Sequence, residues 1–182
     1  MTTAFVACLV IAASGAVRVE GQPIDSASEQ SIKAAYLYKF ADYVEWPDGV
    51  MEDPATFLTI GVVSADSLAD ELQVMTAGRK VHGRSIAVRR VGPQEPLDGV
   101  HILFVAAAGI DELARLTTMA QEHSVLVVTE VGDGLELGSV INFRPVNQRI
   151  RFDVSLESAD RSRLRLSARL LAVAADVKPR SH

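Results

Sequence analysis

Between residues 32 and 47, which read IKAAYLYKFADYVEWP, apolar side chains recur at steps of three and four residues. That period places them on one stripe of a helix, because an α-helix completes a turn about every 3.6 residues. Ser28 or Ser31 is expected to cap its start, and Pro47 and Gly49 are expected to end it. The pattern predicts a core-facing helix whose apolar stripe consists of Ile32, Ala35, Tyr36, Phe40, Tyr43 and Val44.

Beyond this helix, strand-like and helix-like patterns alternate along the chain. Runs rich in β-forming residues at 57–64, 85–91, 100–105 and 125–129 predict strands, and the leucine and methionine spacing at 68–75 and 111–121 predicts helices. A last apolar stripe at 164–177 predicts a closing helix. Such alternation favours helices on both faces of a sheet. We therefore expect an α/β fold, a three-layer α/β/α sandwich with a largely parallel sheet and a C-terminal antiparallel hairpin.

The expected hairpin comprises strands at 139–144 and 148–155, joined at 145–147. In its second strand, apolar side chains at 150, 152 and 154 alternate with charged side chains at 149, 151 and 153. Because successive side chains of a strand point to opposite faces, one face of this strand should be buried and the other should be charged.

The first residues of the chain resemble a secretory signal peptide. Residues 4–16 read AFVACLVIAASGA, an uncharged apolar run that ends in small residues. The run is shorter than the ~20 residues that span a bilayer. Residues 1–3 supply no Lys or Arg, and the alternative is an N-terminal helix or strand of a cytosolic protein. We expect a signal peptide at 1–16, a flexible leader at 17–30, one folded domain at 31–178 and a periplasmic location.

Composition and motif content argue against several functional classes. The net charge of −5 disfavours nucleic-acid binding through a basic surface. The only cysteine, Cys8, lies in the expected signal peptide, so the exported chain would have no disulfide and no thiol nucleophile. The histidines show no metal-ligand spacing, and neither a phosphate-binding loop nor a nucleophile elbow is present. We expect no enzymatic activity, no metal and no cofactor.

Two pairs of residues are candidates for recognition. Tyr38 and Trp46 fall beside or at the end of the apolar stripe, where a ring can contact a ligand or partner, although buried aromatic side chains more often serve packing. Arg149 and Arg151 lie in an arginine-rich stretch of an acidic chain, and guanidinium groups suit carboxylates and phosphates. A solvated hairpin face is the simpler explanation of these charges. We select these four as partner-binding residues because Trp, Tyr and Arg dominate interface hot spots.

Several segments resemble one known family in their order and spacing. These are KAAYLYKFADYVEWP, FLTIGVVSADSL, SVINF with RIRFDVSLESA after a short turn, and SARLLAVA. Together they resemble the YfiR-like family of bacterial periplasmic proteins over residues 32–177. The resemblance implies an exported α/β sandwich that forms homodimers. It also implies a non-enzymatic regulator that represses an inner-membrane diguanylate cyclase by binding its periplasmic domain, and thereby controls cyclic di-GMP and biofilm formation.

One feature departs from the family's namesake, whose disulfides are linked to its redox behaviour. Without cysteine in the exported chain, redox control of that kind is absent. Two other functions stay open at this point. The first is a periplasmic binding module for a small ligand, such as a nucleotide or an aromatic metabolite, at the carboxyl ends of the parallel strands. The second is an exported hydrolase whose catalytic residues are dispersed along the chain, and no local motif supports it.

Overall fold

The computed structural model describes residues 26–53, 55–92 and 94–180. The expected signal peptide, with Cys8, and residues 17–25 of the expected leader lie outside the described residues. The helices within the described part are α1 (Ser26–Tyr43), α2 (Asp66–Thr76), α3 (Ile110–Glu122), α4 (Leu156–Arg161) and α5 (Ala168–Val173). The strands of that part are β1 (Val44–Glu45), β2 (Leu58–Val63), β3 (Lys80–Val81), β4 (Arg84–Arg90), β5 (Ile102–Val105), β6 (Leu126–Thr129), β7 (Ile141–Val146), β8 (Arg149–Ser155), β9 (Arg165–Leu166) and β10 (Asp176–Lys178).

One mixed sheet forms the centre of the domain, with the strand order β10-β8-β7-β6-β5-β2-β4-β3 among the described residues. Five adjacent strands, from β7 through β6, β5 and β2 to β4, run parallel. β3 and β8 run antiparallel to their neighbours β4 and β7, whereas β10 lies parallel to β8. The expected α/β sandwich with a largely parallel sheet and a C-terminal hairpin is therefore confirmed.

The first face of the sheet is covered by α1 and α2. Four aromatic rings meet there, with centroids 5.0–5.9 Å apart: Tyr36 and Phe40 of α1 contact Phe143 of β7 and Phe152 of β8. Such clusters supply a large share of core packing energy. The aromatic helix is thus mainly a core helix, which was the simpler interpretation of its stripe.

The second face is covered by α3 over the middle of the sheet only. Leu113, Leu116 and Ala120 of α3 pack in a separate apolar core with Leu103 of β5 and Val127 of β6. Among the described residues, no side chain of β7, β8 or β10 belongs to this core. α3 therefore does not cover the charged side of the hairpin.

The hairpin itself agrees with the alternation in the sequence. β7 and β8 pair from Ile141 opposite Val154 to Val146 opposite Arg149. The turn is Asn147–Gln148, whose φ angles of 48° and 58° are both positive. Paired positive φ angles match the right-handed twist of the flanking strands and give a tight two-residue turn. The connection is thus shorter than the expected 145–147 and shifted towards the second strand.

The ends of the aromatic helix differ from expectation. α1 begins at Ser26, so residues 26–30, which were expected in the leader, are helical. Ser31 does not cap the helix, because its hydroxyl donates to Glu71 of α2 at 2.8 Å. The helix ends at Tyr43, before Pro47, because Val44 and Glu45 pair with β9 as an antiparallel ribbon.

The closing helix expected at 164–177 is wrong. The structure divides this segment into β9, the short helix α5 and β10. The hydroxyl of Ser167 accepts a hydrogen bond from the backbone N–H of Leu170 and starts α5 there. Two long-range pairings, β9 with β1 and β10 with β8, supply the backbone partners on either side. Tertiary hydrogen bonds thus override an apolar stripe that suited a continuous helix.

Candidate functional site

The outward side of the hairpin presents a cluster that we call the arginine face, formed by Arg144, Arg149 and Arg151. Arg144 of β7 lies directly opposite Arg151 of β8, and Arg149 lies one pleat further on the same side. All three side chains are exposed, whereas Ile150 and Phe152, which follow Arg149 and Arg151 along β8, are buried. The period of two along β8 therefore carries the arginines to one side and the core residues to the other.

Only one member of the arginine face has a carboxylate partner. Arg144 forms an ion pair with Asp153 of β8 at 2.5 Å, and this hydrogen bond raises the pKa of Arg144. Arg151 donates to the backbone carbonyl of Val173 at 3.3 Å. Neither Arg149 nor Arg151 takes part in an ion pair among the described residues. Because like charges directly opposite one another repel, the pair Arg144–Arg151 favours an additional anion.

A shallow concavity of about 580 Å³ adjoins these side chains. Val146, Asn147 and Ala175 complete its lining with the three arginines. Guanidinium groups bind carboxylates and phosphates through paired N–H donors. The arginine face is thus suited to an acidic protein segment or another anion, and nothing in its side chains offers a nucleophile or a general base.

Trp46 lies beyond the carboxyl end of α1, immediately after β1. Its ring is half-buried and meets the ring of His101 edge-on, with centroids 6.2 Å apart. The indole Nε1 is shielded from solvent and has no hydrogen-bond acceptor. Beside the ring is a concavity of about 410 Å³. Its other lining residues are Glu45, Pro47, Asp48, Arg163 and Arg165.

Tyr38 lies on the part of α1 that adjoins the end of α2. The guanidinium of Arg79 lies 5.6 Å from the centre of its ring, and the ammonium of Lys39 lies 5.7 Å from it. Both distances fall within the range of cation–π attraction. Tyr38 therefore already has partners within the chain, and Arg79 of the basic turn at 79–84 is one of them.

The four residues selected from the sequence do not form one site. Tyr38 and Trp46 belong to α1 and to the residues that follow it, on the first face of the sheet. Arg149 and Arg151 project from the second face, because the residues that alternate with them, Ile150 and Phe152, belong to the core on the first face. The structure thus places Arg149 and Arg151 in the arginine face and Tyr38 beside Arg79. Trp46 lies at the concavity described above, which we call the Trp46 concavity.

A buried ion cluster near the carboxyl ends of the parallel strands was not found from the sequence. Lys33 of α1 is only 5% exposed and forms ion pairs with Glu29 and Glu130. Burial lowers the pKa of Lys33, but the hydrogen bonds and charges of Glu130 and Glu29 outweigh that effect and leave it raised. The spacing from Glu29 to Lys33, one helical turn, was the available signal. Glu130 gave no such signal, because only the fold brings it close.

Within 26–53, 55–92 and 94–180, no group of three or more His, Cys, Asp or Glu side chains could hold a metal ion. No helix of that part of the chain is long and apolar enough to cross a membrane.

Two comparisons place the chain among known proteins. The sequence profile described as YfiR/HmsC-like matches residues 30–175, from the second turn of α1 to the residue before β10. Among solved structures, the chain is similar to a conserved domain protein from Vibrio cholerae O1 biovar El Tor, with a TM-score of 0.57 and 11% identity. That alignment covers 82% of this chain and 60% of the Vibrio chain, so it spans less than two thirds of the latter. At this identity the similarity concerns the fold alone.

Proposed function

The chain belongs to the YfiR/HmsC-like family, and from this membership we propose that it is a periplasmic repressor of a membrane-bound diguanylate cyclase. The family is regulatory, and membership supports a role in cyclic di-GMP signalling in general. The finer proposal is that the domain acts without catalysis, by binding the periplasmic part of the cyclase. Its consequence is lower cyclic di-GMP and less biofilm while the complex persists.

The observation that carries this proposal is the extent of the family match. Residues 30–175 include α1 from its second turn onwards, the parallel strands, the hairpin and α5. The regulatory role is therefore inferred for the domain as a whole rather than from a short motif. The side chains described above add no competing catalytic arrangement to that inference.

We assign the cyclase contact to the arginine face. Arg149 and Arg151 are exposed without a carboxylate partner, and the sheet beneath them is not covered by α3. A partner carboxylate would satisfy these guanidinium groups, and a hydrogen bond to a charged group contributes about 1.5–3 kcal/mol. Complementary charge also speeds encounter and selects the partner. Trp46 and Tyr38 then serve as secondary anchors on the other side of the domain.

The Trp46 concavity favours a second candidate function, which is binding of an aromatic metabolite or a nucleotide. Its half-buried indole can stack on a ring, and Nε1 lacks an acceptor in the chain. Arg165 and Arg163 line the same concavity and suit an anionic group on such a ligand. This function predicts that an added ligand raises the unfolding temperature of the purified protein on its own.

Capture from native membranes tests the repressor proposal. The tagged protein is expressed as the full chain, bound to solubilised envelope proteins from its own host, and the retained proteins are identified. We expect a membrane protein with a diguanylate cyclase domain. Absence of such a protein, under conditions that preserve other envelope complexes, would refute the proposal.

Substituted proteins locate the contact. Arg151→Glu and Arg149→Glu should each weaken retention of the cyclase, because they reverse a charge on the arginine face. Arg169→Glu is the matched control, since Arg169 is also exposed but lies on α5. All variants should unfold at temperatures close to that of the unmodified protein. If Arg169→Glu weakens retention as much as Arg151→Glu, the effect reflects overall charge and the assignment to the arginine face fails.

A further inference from the structure

The outer side of β4 is open along most of its length. Its outer neighbour, β3, pairs with Arg84 and Ser85. No described strand adjoins the outer side of residues 87–90. The inner side of β4, in contrast, pairs with β2 from Ile86 to Arg90. Residues 87–90 thus form a stretch of strand with one free side, which we call the open edge.

The backbone groups on the free side can be assigned by residue. The N–H of Val91 donates to the carbonyl of Val62 on β2 at 2.9 Å. Every second residue of a parallel strand bonds to the same neighbour, so the residues at even-numbered positions of β4 direct their backbone groups away from β2. The N–H and C=O groups of Val88 and Arg90 therefore point outwards, where they can pair with a further strand.

An apolar strip borders the open edge on the first face of the sheet. Ile86 and Val88 contact the first core there but are only partly buried. Val74 of α2 is 77% exposed. It lies on the side of α2 that faces β4, because Asp70, one helical turn earlier, forms an ion pair with Arg90. An added strand would cover these apolar side chains, which contributes about 25 cal/mol for each Å² of apolar surface buried.

Two cations lie at the end of the open edge where β3 begins. Lys80 is opposite Ser85 of β4, and Arg79 precedes it. Both side chains are exposed, and neither takes part in an ion pair among the described residues. The guanidinium of Arg79 lies 5.6 Å from the centre of the Tyr38 ring and so has an aromatic partner instead of a carboxylate. This end of the edge therefore favours carboxylates.

The charges of the open edge itself are engaged within the chain. Arg90 forms ion pairs with Asp66 at 3.0 Å and Asp70 at 2.5 Å. Arg89 donates to the backbone carbonyl of Pro96 at 3.0 Å. Charged side chains commonly protect open edges, but these two are turned to groups of their own chain. The two aspartates beside Arg90 disfavour further negative charge at this end, so the two ends of the edge differ in charge preference.

We propose that an extended acidic segment of a partner protein pairs with residues 87–90 as an antiparallel strand. In this direction the segment lies in line with β3, and its carboxyl end meets Arg79 and Lys80. Acidic residues at that end would pair with the two cations, and apolar residues at alternate positions before it would cover Val74 and Val88. The proposal does not depend on the repressor function, because the arginine face lies on the other face of the sheet.

This mode of recognition divides affinity and selectivity between backbone and side chains. Backbone hydrogen bonds to a strand edge hold any extended segment, whereas the side chains along the edge select its sequence. Here the apolar strip selects Val or a similar residue, and the two cations select carboxylates at one end only. A segment with the same composition but with its acidic residues at the amino end should therefore bind less well in the antiparallel direction.

Fluorescence anisotropy with synthetic peptides tests the proposal on the purified protein. The probe is Thr-Val-Thr-Val-Thr-Asp-Glu with a fluorophore on its amino end, and the matched probe ends in Lys-Lys. We expect the acidic probe to bind about tenfold or more tightly than the basic probe. Lys80→Glu should reverse this preference, because it replaces a cation at the end of the edge by a carboxylate. Arg169→Glu, which makes the same charge change on exposed α5, should leave the preference unchanged.

Two further variants test the edge itself. Val88→Pro removes an N–H that points outwards and keeps the bonds to β2, so it should abolish binding of the acidic probe. Val74→Glu should weaken binding about tenfold through loss of the apolar strip. Because Val74 is exposed, this variant keeps the proposal testable if the proline variant does not fold.

Hydrogen exchange gives the readout by residue. Amides at 88 and 90 should exchange more slowly when the acidic probe is added, whereas amides at the 147–148 turn should not change. No binding of the acidic probe up to about 1 mM would overturn the proposal, as would unchanged binding in Lys80→Glu and Val74→Glu. Edge amides that are already protected without peptide, in a protein that sediments as a dimer, would assign the edge to a second copy and would also overturn it.

Discussion

The backbone N–H of Thr59 donates a hydrogen bond to Nδ1 of His101 at 3.1 Å, and the N–H of His101 donates back to the carbonyl of Thr59 at 2.9 Å. His101 is 2% exposed and immediately precedes β5. Nδ1 can accept this hydrogen bond only while it carries no proton. The pair therefore links β2 to β5 through a neutral histidine.

Acidification should weaken the fold through His101. Burial lowers its pKa below the usual 6.5; a hydrogen bond with the backbone of Val50 opposes that shift, and the charge of Arg84 adds to it. The unfolded state then binds the proton more readily than the folded state. The free energy of unfolding should be unaffected by this residue above about pH 6.5 and should fall below it, by at most about 1.4 kcal/mol per pH unit.

Urea unfolding at a series of pH values measures this dependence. His101→Asn, whose side-chain oxygen can still accept from Thr59, should lose the part of the slope that His101 causes between about pH 5 and 6.5. The control is His82→Gln, which replaces an exposed histidine outside the pairing of β2 with β5. An unchanged slope in His101→Asn would contradict the assignment.

Removal of the buried ammonium of Lys33 should destabilise the protein. Lys33→Met leaves Glu29 and Glu130 close together without their shared cation. Loss of one partner of a buried ion pair costs about 3–5 kcal/mol, and the lower end is expected because both glutamates are partly exposed. Chemical denaturation measures the change. Lys39→Met, on the exposed side of the same helix, should cost less than about 1 kcal/mol.

Because the pKa of Lys33 is raised, the stability that its ion cluster contributes should fall as the pH rises, whereas the effect of His101 appears as the pH falls. The stabilisation by the cluster is fully present at neutral pH and is lost as the pH rises through the pKa of the folded state. Unfolding measured at increasingly alkaline pH should show this loss in the unmodified protein and not in Lys33→Met. A parallel loss in both would assign the effect to other groups.

The aromatic cluster should dominate the stability of the first core. Phe40 is 1% exposed and contacts Tyr36, Phe143 and Phe152. Phe40→Ala should cost about 3–5 kcal/mol, because it removes buried apolar surface and leaves a cavity. Phe57, which is 55% exposed, provides the matched substitution, and Phe57→Ala should cost less than about 1 kcal/mol. Comparable losses for both would contradict the burial described here.

Gly134 should not tolerate a side chain. A Cβ at this position would lie 2.2 Å from Oγ1 of Thr129 and 2.7 Å from Oδ1 of Asn142. Those atoms share a buried hydrogen bond of 2.6 Å between β6 and β7. Gly134→Ala should therefore cost about 1–3 kcal/mol through steric overlap. Gly132→Ala, in the same loop with no atom within 4 Å of its Cβ, should be close to neutral in a thermal unfolding comparison.

Local patterns predicted most of the fold. The alternation along β8 and the apolar runs of β2, β5 and β6 reflect which side of each strand is buried, and this is visible in adjacent residues. The prediction for the segment after Leu164 was wrong. β9 and β10 form because they pair with β1 and β8, which lie more than twenty residues earlier in the chain. Its apolar stripe suited a helix equally well.

The candidate site was only partly predictable. The charge of Arg149 and Arg151, and their place on one side of a strand, followed from spacing. Their separation from Tyr38 and Trp46 could not be predicted from spacing, because the packing of the helices decides which face of the sheet each side chain occupies. The same holds for Lys33, whose second partner, Glu130, is distant in the sequence.

By itself, the sequence determined the α/β class, the aromatic core helix, the charged side of the hairpin and the resemblance to a regulatory family. These follow from the period of apolar residues and from residue types, both of which are local properties. Only the tertiary structure decided which charges are buried and which candidate residues lie together. Such properties depend on contacts between distant segments, whose formation is governed by the packing of the whole domain rather than by any one of its segments.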